Sequence, residues 1–218
     1  MSKAAIARRQ SIIDACLEMN ASGLNQGTSG NISLREKNGM LITPTSMPYA
    51  KMKPDDIVRM GLDGKVKGEG RPSTEWRFHL DIFRARPDVN AIVHAHPTYC
   101  TTLAIMERNI PAIHYMVAVA GGADIRCAPY ATFGTQALSD HAVEALKDRR
   151  ACLLAHHGMI AVADNLERAM WLAVEVETLA RQYVNCLQLG EPSLLPDEEI
   201  ENVAKRIANY GLYSQPKS

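Results

Sequence analysis

Two dipeptides, Asn38-Gly39 and Asp63-Gly64, stand between short runs suited to strands, and they narrow the folds open to this chain more than any other feature. Asn-Gly and Asp-Gly supply the positive φ angles of tight hairpin turns. They predict antiparallel pairing of residues 32–34 with 40–43, and of 57–62 with 65–67. Between and beyond these hairpins the apolar spacing turns helical over 4–21, which stops near Gly23, and over 73–86, where Pro87 ends it. Further helices are expected over 98–106, 135–146 and 197–210. Another runs from a cap at Asp164 or Asn165 towards Leu189. The largely apolar runs 90–96, 151–155 and 159–162 suit buried strands. Glycines and prolines break up 111–130, and Gly121-Gly122-Ala123 reads as a loop. Hairpins and helices mix without a regular βαβ repeat. The expected fold is therefore α/β of the α+β type, with a central, mainly antiparallel sheet and helices on both faces.

A chain of 218 residues fits a single domain over 1–218, large enough to fold without a disulfide or a structural metal. Twenty-four basic residues balance twenty-four acidic ones, which argues against nucleic acid held by a bulk basic field. No apolar run approaches the roughly 20 residues that span a bilayer, so no membrane partner is expected. The basic start lacks the apolar segment of a secretory signal. Five widely spaced cysteines with no CxxC read as reduced thiols of a cytoplasmic protein.

The sharpest chemical feature is His94-Ala95-His96. Residues i and i+2 of a strand project to one face, so both imidazoles can converge on one zinc-like ion. Two ordinary histidines at a strand end are the plainer alternative. His156-His157-Gly158 offers a third ligand at the end of another apolar strand, and only one of its adjacent histidines can point inward. Three histidines with an open fourth position make a catalytic zinc site. Cys100 is an alternative ligand, although its helical position favours the core. Glu75 in Pro72-Ser73-Thr74-Glu75 opens a helix, where a carboxylate suits the dipole. With Ser73 and Thr74 it also offers hydroxyls and free N–H groups to a phosphate beside a base. Glu75 and His79 share a helical face, a rival metal pair. Gly27-Thr28-Ser29-Gly30-Asn31 and Thr43-Pro44-Thr45-Ser46 add backbone donors and hydroxyls but match no nucleotide fingerprint.

Taken together, the chain resembles the class II aldolase/adducin family along nearly its whole length. The resemblance rests on Leu24-Asn25-Gln26-Gly27-Thr28-Ser29-Gly30-Asn31-Ile32-Ser33, Leu41-Ile42-Thr43-Pro44-Thr45, Pro72-Ser73-Thr74-Glu75-Trp76-Arg77-Phe78-His79 and Val93-His94-Ala95-His96. It continues through Ile113-His114-Tyr115-Met116, Ala128-Pro129-Tyr130-Ala131-Thr132-Phe133-Gly134-Thr135 and Leu154-Ala155-His156-His157-Gly158. It implies that His94, His96 and His157 hold one Zn2+ per subunit, with Glu75 also reaching the metal and then serving as base. It places Gly30, Asn31, Thr45, Ser46, Ser73 and Thr74 at the substrate phosphate. Ser46 departs from the aldolase pattern, which has glycine there. Tyr115 matches a catalytic tyrosine supplied by a neighbouring subunit of a homotetramer. Phe133 and Tyr210 fall where the pocket closes, and Asn209-Tyr210-Gly211 resembles a mobile tail from about residue 210.

The implied reaction is reversible aldol cleavage of a ketose 1-phosphate, such as L-fuculose 1-phosphate, to dihydroxyacetone phosphate and an aldehyde. A 5-substituted ribulose 1-phosphate such as 5-methylthioribulose 1-phosphate is the alternative substrate. Epimerase, dehydratase and decarboxylase chemistry also occur on this scaffold. Retention of all three histidines, Glu75 and Tyr115 argues against a non-enzymatic interaction module. No lysine falls in these motifs, so Schiff-base chemistry is not expected.

Overall fold

The computed structural model describes residues 1–207. In chain order the elements are α1 (Lys3–Ala21), β1 (Asn31–Glu36), β2 (Gly39–Ile42), β3 (Val58–Gly61), α2 (Trp76–Ala85), β4 (Ala91–Ala95) and α3 (Thr98–Ile105). They continue with β5 (Arg126–Ala128), α4 (Gln136–Ala145), β6 (Ala151–Leu154), β7 (Gly158–Ala163), α5 (Leu166–Leu189) and α6 (Asp197–Ile207). The seven strands form one sheet in the order β3-β2-β1-β4-β7-β6-β5. Every pairing is antiparallel except β5 with β6. The sheet is thus mixed rather than purely antiparallel. Strand β5 was not anticipated, because three residues amid glycines and prolines carry too little periodicity to register.

The first hairpin forms as expected, pairing Glu36 with Gly39 and Arg35 with Met40, but its turn residues are Lys37 and Asn38, and neither Asn38 nor Gly39 adopts the expected positive φ. The second hairpin shrinks to one bridge between Met60 and Val66. Lys65 and Lys67 leave that short return arm with no apolar face to bury. The helix expected from residue 73 starts at Trp76 instead. The Ser73 N–H donates to Thr43 O, which holds residues 73–75 in a turn over the end of β2. The reading of a helix up to residue 210 extends beyond the described residues, as do Asn209, Tyr210 and Gly211.

Alternation along the strands sorts side chains between two cores. Ile32, Leu34, Ala91, Val93 and Ala95 pack with α1, α3 and α5. Ile42, Ile92, Cys152, Leu154 and Ile160 pack with Phe78 and Phe83 of α2 and Leu138 of α4. By the same parity Asn31, Ser33 and His94 lie on the α2 face, where apolar residues would otherwise be expected. All five residues of β4 are buried, as befits the central strand. A third, small cluster joins Ile200 of α6 to Ala112 and Ala118.

The start of α3 lies directly after His96 and has Pro97 as its cap, which makes no side-chain cap bond. Glu177 of α5 takes that role, accepting from Tyr99 N at 2.9 Å and Cys100 N at 2.8 Å. Hydrogen bonds to a charged acceptor are the stronger kind. Glu177→Ala is therefore expected to cost about 2 kcal/mol, read as a lower urea midpoint with an unchanged m-value.

Candidate metal centre and substrate pocket

Strand β4 carries His94 at its penultimate position and delivers His96 just beyond its end. The β6–β7 turn supplies the third imidazole. His156 adopts a left-handed φ of 54°, and the turn sends His157 inward while His156 remains half exposed. Gly158 permits this approach: a Cβ there would lie 2.5 Å from Ala95 O and 2.8 Å from His96 Cδ2. The imidazole centroids of His94, His96 and His157 are 4.8 Å apart in every pairing. Glu75, the residue just before α2, completes a cluster whose ligand atoms all lie within 4.8 Å of one another.

The contacts define what this cluster can hold. His94 Nδ1 lies 2.9 Å from Met159 O. A carbonyl only accepts, so Nδ1 carries the hydrogen, and in the neutral ring Nε2 is left with its lone pair. That Nε2 is 2.9 Å from His96 Nε2 and 3.1 Å from Glu75 Oε2. His157 Nε2 lies 3.1 Å from Glu75 Oε1. Glu75 Oε1 is nonetheless buried without a hydrogen-bond partner. Lone pairs this close repel unless positive charge sits among them. Three imidazole nitrogens and a carboxylate oxygen suit a divalent transition metal, so the residues present fit such an ion.

Burial pushes the Glu75 carboxyl up, but positive charge on the His94 and His157 side more than offsets this and holds it below the usual carboxylate range. Burial first, then the neighbouring His94 and His157, lowers His96 to about 3, so it is a neutral, ligand-competent imidazole at physiological pH. His79 is not part of the cluster. Its Nδ1 faces Ser33 Oγ at 2.6 Å and its Nε2 faces Asn31 Oδ1. Cys100 is likewise outside it, buried in α3.

A cavity of about 340 Å³ opens over the cluster. Gly30, Asn31, Thr45, Ser46, Ser73 and Thr74 all line it, together with Glu75, His96, His157 and Phe133. Backbone bonds gather these distant segments: Thr45 N donates to Arg71 O, and Pro44 bridges Pro72. Ser73 serves locally as well, its Oγ accepting from Glu75 N at 3.3 Å. None of the described lining residues is lysine or arginine, so an anion here meets hydroxyls and backbone N–H groups. Ser46 has a φ of 55°. That left-handed conformation favours glycine and costs a serine about 1 kcal/mol, which gives a physical reason for glycine in the aldolase pattern.

Tyr115 opens a 3-10 helix, is half exposed, and does not line this cavity. Tyr130, given no role by the sequence, does line it, as does His156, one of the two histidines that spacing offered as the third ligand. Asn25, part of one motif that carries the resemblance, and Tyr49 have no role in the sequence reading. Asn25 Oδ1 accepts from Ser29 Oγ at 3.0 Å and from His96 N at 3.4 Å, while the Tyr49 hydroxyl donates to Gly30 O. Together they tie the loop before β1 to the metal-binding strand. No local signal marks these roles, since the contacts of Asn25 with His96 and of Tyr49 with Gly30 join segments distant in the chain. Gly30 sits where a Cβ would meet His94 O at 2.8 Å and Asn25 Oδ1 at 2.9 Å. Gly30→Ala is expected to push this loop off β4, costing about 1–3 kcal/mol in thermal unfolding and lowering turnover with it.

The Class II Aldolase and Adducin N-terminal domain family matches residues 10–184. The L-fuculose phosphate aldolase of Escherichia coli K12 is 54% identical over 202 residues, 92% of this chain and 94% of that protein. The 5-methylthioribulose-1-phosphate/5-deoxyribulose-1-phosphate aldolase of Rhodospirillum rubrum is 53% identical over 206 residues, 94% and 93% of the two chains. A solved structure of an L-fuculose 1-phosphate aldolase superposes with a TM-score of 0.90 at 42% identity, covering 95% of this chain and 97% of that one.

Proposed function

The chain belongs to the class II aldolase and adducin family, and we propose that it is a zinc-dependent aldolase cleaving a ketose 1-phosphate reversibly to dihydroxyacetone phosphate and an aldehyde. The observation that carries this reading is the three-imidazole cluster with Glu75 on the floor of a cavity walled by hydroxyls. His94, His96 and His157 would hold the zinc, with Glu75 as an additional ligand in the free enzyme. Zinc supplies Lewis-acid chemistry, drawing charge from a carbanion that forms beside the substrate carbonyl.

The chain's own residues do the rest. The backbone and hydroxyl donors of Gly30, Thr45, Ser46, Ser73 and Thr74, with Asn31 beside them, seat the phosphate and fix the reacting carbons over Glu75. Such positioning contributes several kcal/mol, on the order of the effective-molarity terms measured for well-oriented reactants. Glu75 moves the proton at carbon: ionised, it takes that proton in the condensation direction, and protonated, it returns it to the carbanion in cleavage. Tyr115 from a neighbouring copy in a homotetramer exchanges the proton of the hydroxyl that becomes the aldehyde oxygen. Phe133, in the cavity wall, keeps water from the carbanion, and the family resemblance assigns the same role to Tyr210. Five free thiols fit a cytoplasmic enzyme.

Near-equal identity to aldolases of two substrate types, at 54% and 53%, leaves the aldehyde half to experiment. The second reading is therefore cleavage of a 5-substituted ribulose 1-phosphate by the same residues. The test is release of dihydroxyacetone phosphate from L-fuculose 1-phosphate and from 5-methylthioribulose 1-phosphate, each with zinc-loaded and chelator-stripped protein. Metal-dependent release from the first alone favours the first reading, and from the second alone the second. Release from neither, by folded zinc-bearing protein, overturns the proposal.

A further inference from the structure

Ser33, His79 and Asn31 form a buried line of side chains ending on Glu75, and the reaction outlined above makes no use of His79. Ser33 and Asn31 occupy alternate positions of β1 and so share its α2 face. His79, in the first turn of α2, faces both. Asn31 Nδ2 donates to Glu75 Oε2 at 3.0 Å, Asn31 Oδ1 meets His79 Nε2, and His79 Nδ1 lies 2.6 Å from Ser33 Oγ. Ser33 and His79 are 0% exposed and Asn31 is 3% exposed.

The direction of this line is set from its Glu75 end. A carboxylate oxygen only accepts, so Asn31 must present its amide nitrogen there. Its carbonyl oxygen then faces His79 and also only accepts, which requires the hydrogen on His79 Nε2. A neutral imidazole is left with a bare Nδ1, and that nitrogen accepts from the Ser33 hydroxyl. Reversing any member would set two buried acceptors against each other, at the cost of an unmade bond. The two oxygens of Glu75 are consequently unequal. Oε2 is bonded to the Asn31 amide, whereas Oε1 has no such anchor and meets only His157 Nε2, on the side of the metal-binding cluster, at 3.1 Å.

We infer that Ser33, His79 and Asn31 act as a positioning relay that pins Glu75 Oε2 and leaves Oε1 as the oxygen that moves the proton at the substrate carbon. The inference rests on Glu75 being the base. His79 touches neither metal nor substrate and works through Asn31.

Two conservative replacements separate this role from plain packing. A glutamine at 79 reaches the position of Nε2 and keeps an N–H for Asn31. An asparagine reaches only as far as Nδ1 and leaves Asn31 Oδ1 unpaired. In zinc-loaded protein, His79→Asn is expected to lose about 10²-fold in kcat, the scale of a misplaced catalytic group. His79→Gln should recover to within about 10-fold of wild type, and KM and zinc content should stay within about 2-fold in both. Equal kcat losses in the two variants, or losses in KM or zinc content, would overturn the relay. Should neither variant fold, Ser33→Ala is expected to lower kcat about 3- to 10-fold by freeing the distal end of the line, and an unchanged kcat there overturns the relay.

A separate readout needs no turnover. Nitrogen-15 spectra of histidine-labelled wild-type protein should place the His79 proton on Nε2. A proton on Nδ1 overturns the relay and leaves the aldolase reading standing. Wild-type protein that cleaves no ketose 1-phosphate overturns the aldolase reading, whatever the His79 spectrum shows.

Discussion

Glu75→Gln is expected to keep the fold and most of the bound metal while losing about 10²–10⁴-fold in turnover, the contribution of a positioned general base. The glutamine is close to isosteric, and its carbonyl oxygen can still face His94. It cannot take a proton from carbon. Its amide nitrogen would also need a new acceptor in a site where Glu75 is 6% exposed. If that NH2 turned towards Asn31 Nδ2, two donors would meet, so the Oε1 side must hold it, near His157. The measurement is single-turnover cleavage together with exchange of the carbon-bound proton of dihydroxyacetone phosphate with solvent deuterium. Release of dihydroxyacetone phosphate and exchange should fall together, because the carbanion left by bond scission becomes dihydroxyacetone phosphate only by the same proton transfer run in reverse. Wild-type exchange with slow cleavage would instead move the role of Glu75 to carbon–carbon bond scission.

His94→Ala has the second large effect, on metal rather than on the proton. His94 is 0% exposed, anchored through Nδ1 to Met159 O at 2.9 Å, and meets both His96 and Glu75 through Nε2. Its removal leaves two imidazoles and a carboxylate around an enlarged gap. Zinc affinity and turnover should both collapse. Wild-type protein, by contrast, should be stabilised by zinc through mass action, by about 3–4 kcal/mol at 100 to 1,000 times its Kd. A thermal melt with and without zinc reads this directly: a clear upward shift in wild type and almost none in His94→Ala. A full zinc complement in the variant would remove His94 from the ligand set.

Much of this site is legible in the sequence because its pieces are local. The i, i+2 spacing of His94 and His96 is a statement about one strand, and the strand is there. The first hairpin closes where the Asn38-Gly39 signal marks it, although the turn residues are Lys37 and Asn38 and Gly39 already belongs to β2. Asn165 as the cap of α5 is equally local, its side chain accepting from Arg168 N. The misreadings come where local signals are weak or tertiary contacts override them. Residues 65–67 follow a turn signal at Asp63-Gly64 but have no apolar face to bury, and only Val66 bridges back. Residues 73–75 have helical spacing, but their backbone is held by Thr43. The three residues of β5 become a strand only because β6 lies beside them.

Residue types and periodicity alone determined that this chain forms a sheet with helices on both faces, that two histidines share one side of a central strand, and that hydroxyl-rich turns lie near strand ends. Spacing left His156 and His157 open and the resemblance implied His157; the tertiary structure turns His157 inward through the left-handed backbone at 156. It also decided that His79 serves Asn31 rather than a metal. That outcome depends on Asn31 pairing with His94 in the β1–β4 register and on α2 lying across the same face. Periodicity states which way a side chain points from its own strand or helix, whereas what it meets there depends on contacts between segments distant in the chain.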